Sequence, residues 1–217
     1  MNGSPFGMLF VASDIDATHE LEFNRWYDEE HLPDRASMAG VIKATRFRSP
    51  CDSPKYLALY WAEGINAFDC PEYAHAFKYQ SVWSKKILPL MQNPTRRIGE
   101  AIGQFDQPEG EWVAVVAAAE ATAEATAPGS LKTLQPAFSE IPGYVQSYLV
   151  SPVPSLSLPL PQEAENPRPM TPMLIVECLD ERAARQAVET SLVYLPAGSR
   201  LFGVYQSLGK GSVGEVR

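Results

Sequence analysis

Glu22-Phe23-Asn24-Arg25-Trp26-Tyr27-Asp28-Glu29-Glu30-His31-Leu32-Pro33-Asp34-Arg35 is the stretch whose reading decides the fold. At helical spacing Phe23, Tyr27 and His31 fall at i, i+4 and i+8, with Trp26 beside them. The result is an apolar face that ends in an imidazole. Asn24, Arg25, Asp28 and Glu29 fall off that line. Pro33 disfavours helix at Leu32, so the helix is expected to end or kink there. A titratable ring is thus expected near a helix C-terminus, facing a sheet, with Asp28 close enough to hydrogen-bond it.

Upstream, Gly7–Ala12 is a short apolar run that predicts a buried strand, and Thr18 is placed to N-cap the helix. Downstream, Gly40 opens a strand over Val41–Arg48, Ser49–Pro54 is a loop by composition, and Lys55–Ala62 is a third strand. Leu57, Leu59 and Trp61 alternate with Tyr56, Ala58 and Tyr60. Apolar residues on both faces predict a sheet covered twice, by helices on one side and another sheet on the other. Ala67–Met91 reads as a second helix with Ala76, Tyr79, Trp83 and Ile87 as its core stripe. A fourth strand follows over Arg96–Phe105. The order β-α-β-β-α-β is then complete.

The order begins again at Trp112–Val116. Ile141–Tyr148 mirrors Met38–Thr45, Pro172–Glu177 mirrors the third strand, Asp180–Leu192 supplies a helix, and Arg200–Ser207 the last strand. This is an internal repeat of roughly 105 residues. It predicts an α+β fold of two β-α-β-β-α-β halves, 1–106 and 109–217, which the family resemblance described below implies are ferredoxin-like and joined as an intrachain pseudo-dimeric α+β barrel. The halves differ. All three histidines, His19, His31 and His75, lie in the first half. The counterpart of the organising helix, Glu120–Pro136, is rich in Ala and Thr and holds no His, Trp or Tyr. A Pro-rich insertion at 151–171 interrupts the second half, and seven prolines fall between Ser151 and Pro172. They block helix and central strand, so this segment is expected to be extended or loop and dispensable for folding, either a lid or a surface insertion.

Composition narrows the partners. The chain has 217 residues, 45% of them hydrophobic, and a formal net charge of −8. That suffices for a large core and argues against nucleic acid or an anionic membrane as partner. The three cysteines, Cys51, Cys70 and Cys178, are widely spaced and odd in number, which fits free thiols in a cytoplasmic protein. No apolar run approaches the length of a membrane span. No H-E-x-x-H or C-x-x-C suggests a metal. Gly209–Gly214 follows the last strand without a helix behind it, so a flexible tail is expected rather than a phosphate loop.

Trp26-Tyr27-Asp28-Glu29-Glu30-His31-Leu32-Pro33-Asp34-Arg35, followed by Met38-Ala39-Gly40-Val41-Ile42-Lys43-Ala44-Thr45-Arg46-Phe47, resembles the EthD-like family of the dimeric α+β barrel superfamily. The resemblance spans roughly residues 6 to 106. It implies ferredoxin-like units whose sheets pair into a barrel, and it implies activities on small organic molecules without a cofactor.

His31 is the leading candidate for chemistry, as a general acid or base whose tautomer Asp28 or a backbone carbonyl would fix. The competing reading is a half-buried ring stabilised by the helix end. Tyr27, with Trp26, is core or the aromatic wall of a planar-ligand site. Arg46 either holds an anionic group or pairs with Asp28 or Glu30. Tyr60, Tyr79 and Trp83 complete the expected pocket. Two functions remain open. One is a cofactor-free enzyme of the EthD-like type, moving a proton on a small aromatic or polyketide-like molecule. The other is a non-catalytic barrel that binds a small ligand or a partner protein, with His31 plugged by side chains. The chain is expected as a monomer with an internal pseudo-dimer, or as a homodimer.

Overall fold

The structure is a computed structural model that describes residues 5–103, 109–119, 128–163 and 168–211. Its strands and helices run β1 (Phe6–Ile15), α1 (Glu20–Trp26), α2 (Leu32–Ala36), β2 (Val41–Arg48), β3 (Tyr56–Ala62), α3 (Pro71–Lys78), α4 (Val82–Ile87) and β4 (Met91–Gly103). They continue with β5 (Trp112–Ala117), α5 (Pro128–Ser139), β6 (Tyr144–Pro152), β7 (Met173–Cys178), α6 (Glu181–Tyr194) and β8 (Arg200–Gly211). All strand pairs are antiparallel. Eight strands close into a barrel in the order β1-β3-β2-β8-β5-β7-β6-β4.

The first four strands are neighbours in the order β4-β1-β3-β2, and the last four in the order β8-β5-β7-β6. The two separate facing sheets that the sequence predicts are instead one continuous sheet that closes on itself. Hydrogen bonding between β2 and β8, and between β4 and β6, joins the two groups of strands into one closed surface. Closure leaves no strand edge unpaired, which removes the usual route to edge-on aggregation.

The period of two along the strands explains the core. Met8, Phe10, Leu57, Leu59, Val113, Val115, Tyr148 and Ile175 point into the barrel and pack there. Leu9, Tyr56, Ala58, Tyr60 and Ile98 point outward, under the helices of the first repeat. Val116, Leu149, Leu174 and Val204 point outward under α5 and α6. The strands are apolar on both faces because both faces are covered, as the sequence predicts.

Four local expectations are revised. The organising helix does not end at Pro33. It passes through one π turn, Tyr27–His31, and resumes as α2 with Pro33 in its first turn. Proline lacks an N–H and crowds the preceding turn. A widened turn, in which the Leu32 N–H bonds the Tyr27 carbonyl, accommodates both effects. Thr18 turns back to bond Asp16, with Oγ1 donating at 2.6 Å, and α1 has no side-chain cap. The second helix is broken: Ser81 accepts from the Ser84 N–H at 2.9 Å and starts α4 afresh. The break throws Tyr79 off the core stripe, leaving it 60% exposed, while Ile87 stays buried. Finally β8 runs through Gly211, with Lys210 paired to Thr45, so part of the glycine-rich segment is strand; Ser212–Gly214 lies outside the described residues.

Ser151 and Pro152 of the Pro-rich segment belong to β6; its other described residues form no helix or strand, and they are built into the fold. Ser157 and Leu160 are buried against β4. The Ser157 hydroxyl accepts from the Ile98 N–H at 2.9 Å and lies 2.8 Å from the Val153 carbonyl. Glu163 forms ion pairs with Arg97 at 2.5 Å and Arg168 at 3.0 Å, all three side chains nearly inaccessible. A strap tied down in this way is not a free surface insertion. No helix among the described residues is long and apolar enough to cross a membrane.

Candidate active site

The π turn determines what His31 meets. Its imidazole stacks on the Trp26 indole at 4.2 Å between centroids, with the planes 27° apart. The Tyr27 ring meets it edge-on at 5.3 Å. Trp26 is itself fixed: its indole N–H donates to Ser84 Oγ at 3.0 Å. Ser84 and Ser81 in turn donate to Glu30 at 3.2 and 2.6 Å. The wall behind the imidazole is therefore pinned across to α4.

In front of the ring lies a cavity between α1–α3 and the outer face of the sheet. His31, Tyr27, Arg35, Tyr60, Tyr73 and Arg96 supply its polar lining, and Leu9, Val11, Phe77, Leu88, Met91 and Leu160 its apolar lining. About 40 Å³ is open to the centre of a water-sized sphere. A second cavity of about 300 Å³ adjoins it, sharing Tyr73, Phe77 and Arg96, and is bounded further by Phe68, Cys70, Leu156 and Leu158. Leu160, Leu156 and Leu158 all come from the Pro-rich strap, so the second half of the chain walls a site built on the first.

His31 as a residue is half-buried, and its ring is enclosed by packed protein. Packed protein around the ring, and then the positive charges of Arg35 and Arg46, hold its pKa well below the usual 6.5. The imidazole is neutral at neutral pH and can accept a proton. Among the described residues neither ring nitrogen has a hydrogen-bond partner. Burial pushes the Tyr27 hydroxyl up to about 12 and the Tyr60 hydroxyl well above its ordinary value, so both remain protonated donors.

The cavity brings together three of the expected residues, Tyr27, His31 and Tyr60. The others lie elsewhere. Asp28 does not reach His31; its carboxylate takes the Arg46 guanidinium at 2.6 Å, the ion pair that the sequence leaves open. Arg46 also donates to Asn24 Oδ1 at 2.7 Å and lies over the Tyr27 ring at 4.3 Å, so it braces the helix instead of lining the cavity. Tyr79 sits at the helix break with its ring 4.5 Å from that of His75, away from the cavity. Trp83 packs at the margin of the outer core but does not line the cavity.

The lining residues missed by the sequence reading include Arg35, Tyr73, Phe77, Gln80, Arg96 and Leu160. Arg35 follows the candidate histidine by one turn and was within reach of helical spacing. Arg96 sits on the strand face opposite Arg97, and a buried arginine among apolar alternation is itself a signal. Leu160 belongs to the strap and has no local signature.

Among the described residues no group of three or more His, Cys, Asp or Glu side chains is arranged to hold a metal ion. Cys51, Cys70 and Cys178 are free, and burial pushes the Cys178 thiol up to about 12, which leaves it inert.

No family model and no curated protein matches the sequence. Solved structures do match its fold. The chain is similar to an anthrone oxidase-like protein, with a TM-score of 0.63, 12% identity, and coverage of 99% of this chain and 95% of that one. It is similar to a proposed monooxygenase from Lactobacillus acidophilus NCFM, with a TM-score of 0.58, 9% identity, and coverage of 97% and 98%. A proposed monooxygenase from Fusobacterium nucleatum subsp. nucleatum gives a TM-score of 0.54, 13% identity, and coverage of 99% and 97%. These likenesses define the class of fold, a closed α+β barrel spanning the whole chain. At such identities they carry no reaction across.

Proposed function

We propose that this chain is a cofactor-free enzyme that transfers a proton on a small planar organic molecule, with His31 as the base. The observation that carries this reading is a neutral imidazole that lines a cavity together with the buried Tyr27 and Tyr60, held by the Trp26 stack. A base held below its usual pKa stays unprotonated at working pH. Tyr60 and Tyr27 donate to a developing oxyanion, and Leu9, Val11 and Phe77 hold the flat body of the substrate. The outer cavity adjoins the inner one across Tyr73, Phe77 and Arg96 and offers room for a ligand larger than the inner cavity alone.

The reading agrees with the EthD-like motif around His31 and with the anthrone oxidase-like and monooxygenase descriptions of the similar structures. It also extends to architecture. The two strand quartets, 1–106 and 109–217, are two ferredoxin-like units fused in tandem, and the barrel that such units form as dimers is completed within one chain. The second unit has lost its own imidazole and contributes the strap.

A second reading, a non-catalytic barrel that binds a small ligand, is favoured by the small inner volume. Proton exchange separates the two. Candidate phenols and 1,3-dicarbonyl compounds are incubated with the protein in deuterated water, and carbon–deuterium incorporation is followed by mass spectrometry. Wild type should exchange, and His31→Ala should lose a factor of about 100 or more while keeping its fold. His31→Gln, which retains hydrogen bonding only, should stay inactive and still bind. Exchange unaffected by either substitution makes the barrel a binding protein.

A further inference from the structure

The cavity beside His31 contains positive charge that the protein does not neutralise. Arg96 is only 3% exposed. Its guanidinium donates to the carbonyls of Leu156 and Leu158 at 3.1 and 2.9 Å and to the Tyr73 hydroxyl at 2.7 Å, all uncharged acceptors. Arg35 donates to the Ala76 carbonyl at 3.1 Å and to Gln80 Oε1 at 3.4 Å, again uncharged. Among the described residues no carboxylate lies within ion-pair distance of either guanidinium. Arg35 is half-buried, and the buried arginines other than Arg96 are paired: Arg46 has Asp28, and Arg97 has Glu163. A guanidinium taken out of water without a counter-ion is costly, and folded proteins ordinarily pair it.

A second, independent feature points to the same ligand chemistry. Tyr60 is 1% exposed, lines the cavity, and its hydroxyl has no hydrogen-bond partner among the described residues. A buried hydroxyl left unpaired forfeits its hydrogen bond unless a bound group supplies the acceptor. The cavity thus offers two unneutralised cations and one free donor, against apolar walls and a histidine that carries no charge of its own.

We propose that the substrate is a planar organic acid, bound as an anion whose carboxylate or ionised phenol oxygen is neutralised by Arg35 and Arg96 and accepts the Tyr60 hydroxyl. The inference rests on reading this cavity as the substrate site. It adds the charge of the substrate, which the position of His31 alone does not specify. It also accounts for a cationic cavity on a chain whose net charge is −8. The surface at large repels an anion, so selection must come from the cavity itself.

The test is binding, read by calorimetry with two matched pairs of probes: benzoate against benzamide, and 4-nitrophenolate against 4-nitroanisole. Each anion should bind about ten- to a hundredfold more tightly than its neutral partner, the worth of one charge-assisted hydrogen bond. Preference within the first pair identifies a carboxylate, within the second an acidic phenol. Arg35→Met, at a partly exposed position, should fold and reduce the preference by about tenfold or more. Tyr60→Phe should weaken both anions and spare both neutral probes. Arg96→Met also releases the strap carbonyls, so it is interpreted only alongside a circular dichroism spectrum matching wild type. Equal binding of charged and neutral probes, no binding of either anion at millimolar concentration, or an unchanged preference in Arg35→Met overturns the proposal. Exchange activity that survives His31→Gln, with the charge preference intact, would instead remove the proton-transfer reading and leave this one standing.

Discussion

The indole of Trp26 stacks on the imidazole of His31 at 4.2 Å although the two residues are i and i+5. In an α-helix, at about 100° per residue, they would point about 140° apart. The π turn over Tyr27–His31 brings them onto one face, and single π turns of this kind recur at functional sites. The pair is both core and site. Trp26 is fully buried, and its N–H bond to the buried Ser84 has no substitute.

Trp26→Ala should therefore lower stability by about 3–5 kcal/mol in urea unfolding. Trp26→Phe keeps a ring against His31 but leaves the Ser84 hydroxyl without its donor, and should cost about 1–3 kcal/mol. Equal losses in the two variants would show that the stack contributes little beyond the hydrogen bond.

The depressed pKa of His31 sets a pH dependence whose sign can be worked out. In the unfolded chain the ring titrates near its ordinary 6.5, whereas in the folded protein it resists protonation to well below that. Below the unfolded pKa the unfolded state binds the extra proton, so stability rises with pH across this window and falls as the solution is acidified. The slope from this one group is at most about 1.4 kcal/mol per pH unit. Thermal unfolding of wild type and His31→Gln should run parallel above neutrality. Wild type should lose ground as pH drops below 6.5. Parallel curves throughout the acid range would mean that the ring protonates in place.

The fold was legible because its signals are local and repeated. Alternating strands apolar on both faces, such as Leu57–Trp61 against Tyr56–Tyr60, require two coverings; the second covering is the far wall of the same closed barrel rather than a separate sheet. The position of His31 was legible for the same reason, since helical spacing places it on the sheet side. Its neighbours were not. A π turn shifts every contact by one residue, and nothing in the spacing of Tyr27 and His31 announces it except Pro33. The break at Ser81 removed Tyr79 from the core by the same kind of local event, a serine capping its own helix. Leu160 and the Arg96 carbonyl partners come from a strap more than 50 residues away in sequence, as the separations of 60 and 62 residues for the Arg96 bonds show. Long-range side-chain ties of this kind have no periodicity to read.

Barrel closure depends on close backbone approach at the β4–β6 seam. A Cβ on Gly99 would sit 2.2 Å from the Ser151 carbonyl oxygen, which only a backbone shift relieves. Gly99→Ala should thus cost about 1–3 kcal/mol by overpacking. The loss should be local first: amide exchange should quicken in 99–103 and 148–152, the paired residues of the seam, before it does in β1 or β5. Uniform acceleration across the barrel would place the weak point elsewhere.

The strap supplies the last prediction, because its anchor and its function are separable. Glu163 holds Arg97 and Arg168 at once, with the Leu160 N–H donating to its second oxygen at 3.3 Å. Burial disfavours the charged form of Arg97, and the Glu163 carboxylate opposes that effect. Glu163→Gln preserves size but leaves two enclosed guanidinium groups without a carboxylate among the described residues, which should cost about 3–5 kcal/mol. Leu160→Ala leaves the anchor intact and removes only the wall beside His31. It should cost about 2–5 kcal/mol and enlarge the cavity. The two variants should differ at the imidazole. In Leu160→Ala water gains access to the ring, so desolvation weakens and the His31 pKa should rise toward 6.5, a shift measurable by proton NMR of its ring. Arg97→Met/Glu163→Met removes one opposite pair but leaves Arg168 without its carboxylate, so it should recover only part of the stability lost in Glu163→Gln. Failure of that recovery, with Leu160→Ala leaving the His31 titration unchanged, would show that the strap covers the first half without shaping its site.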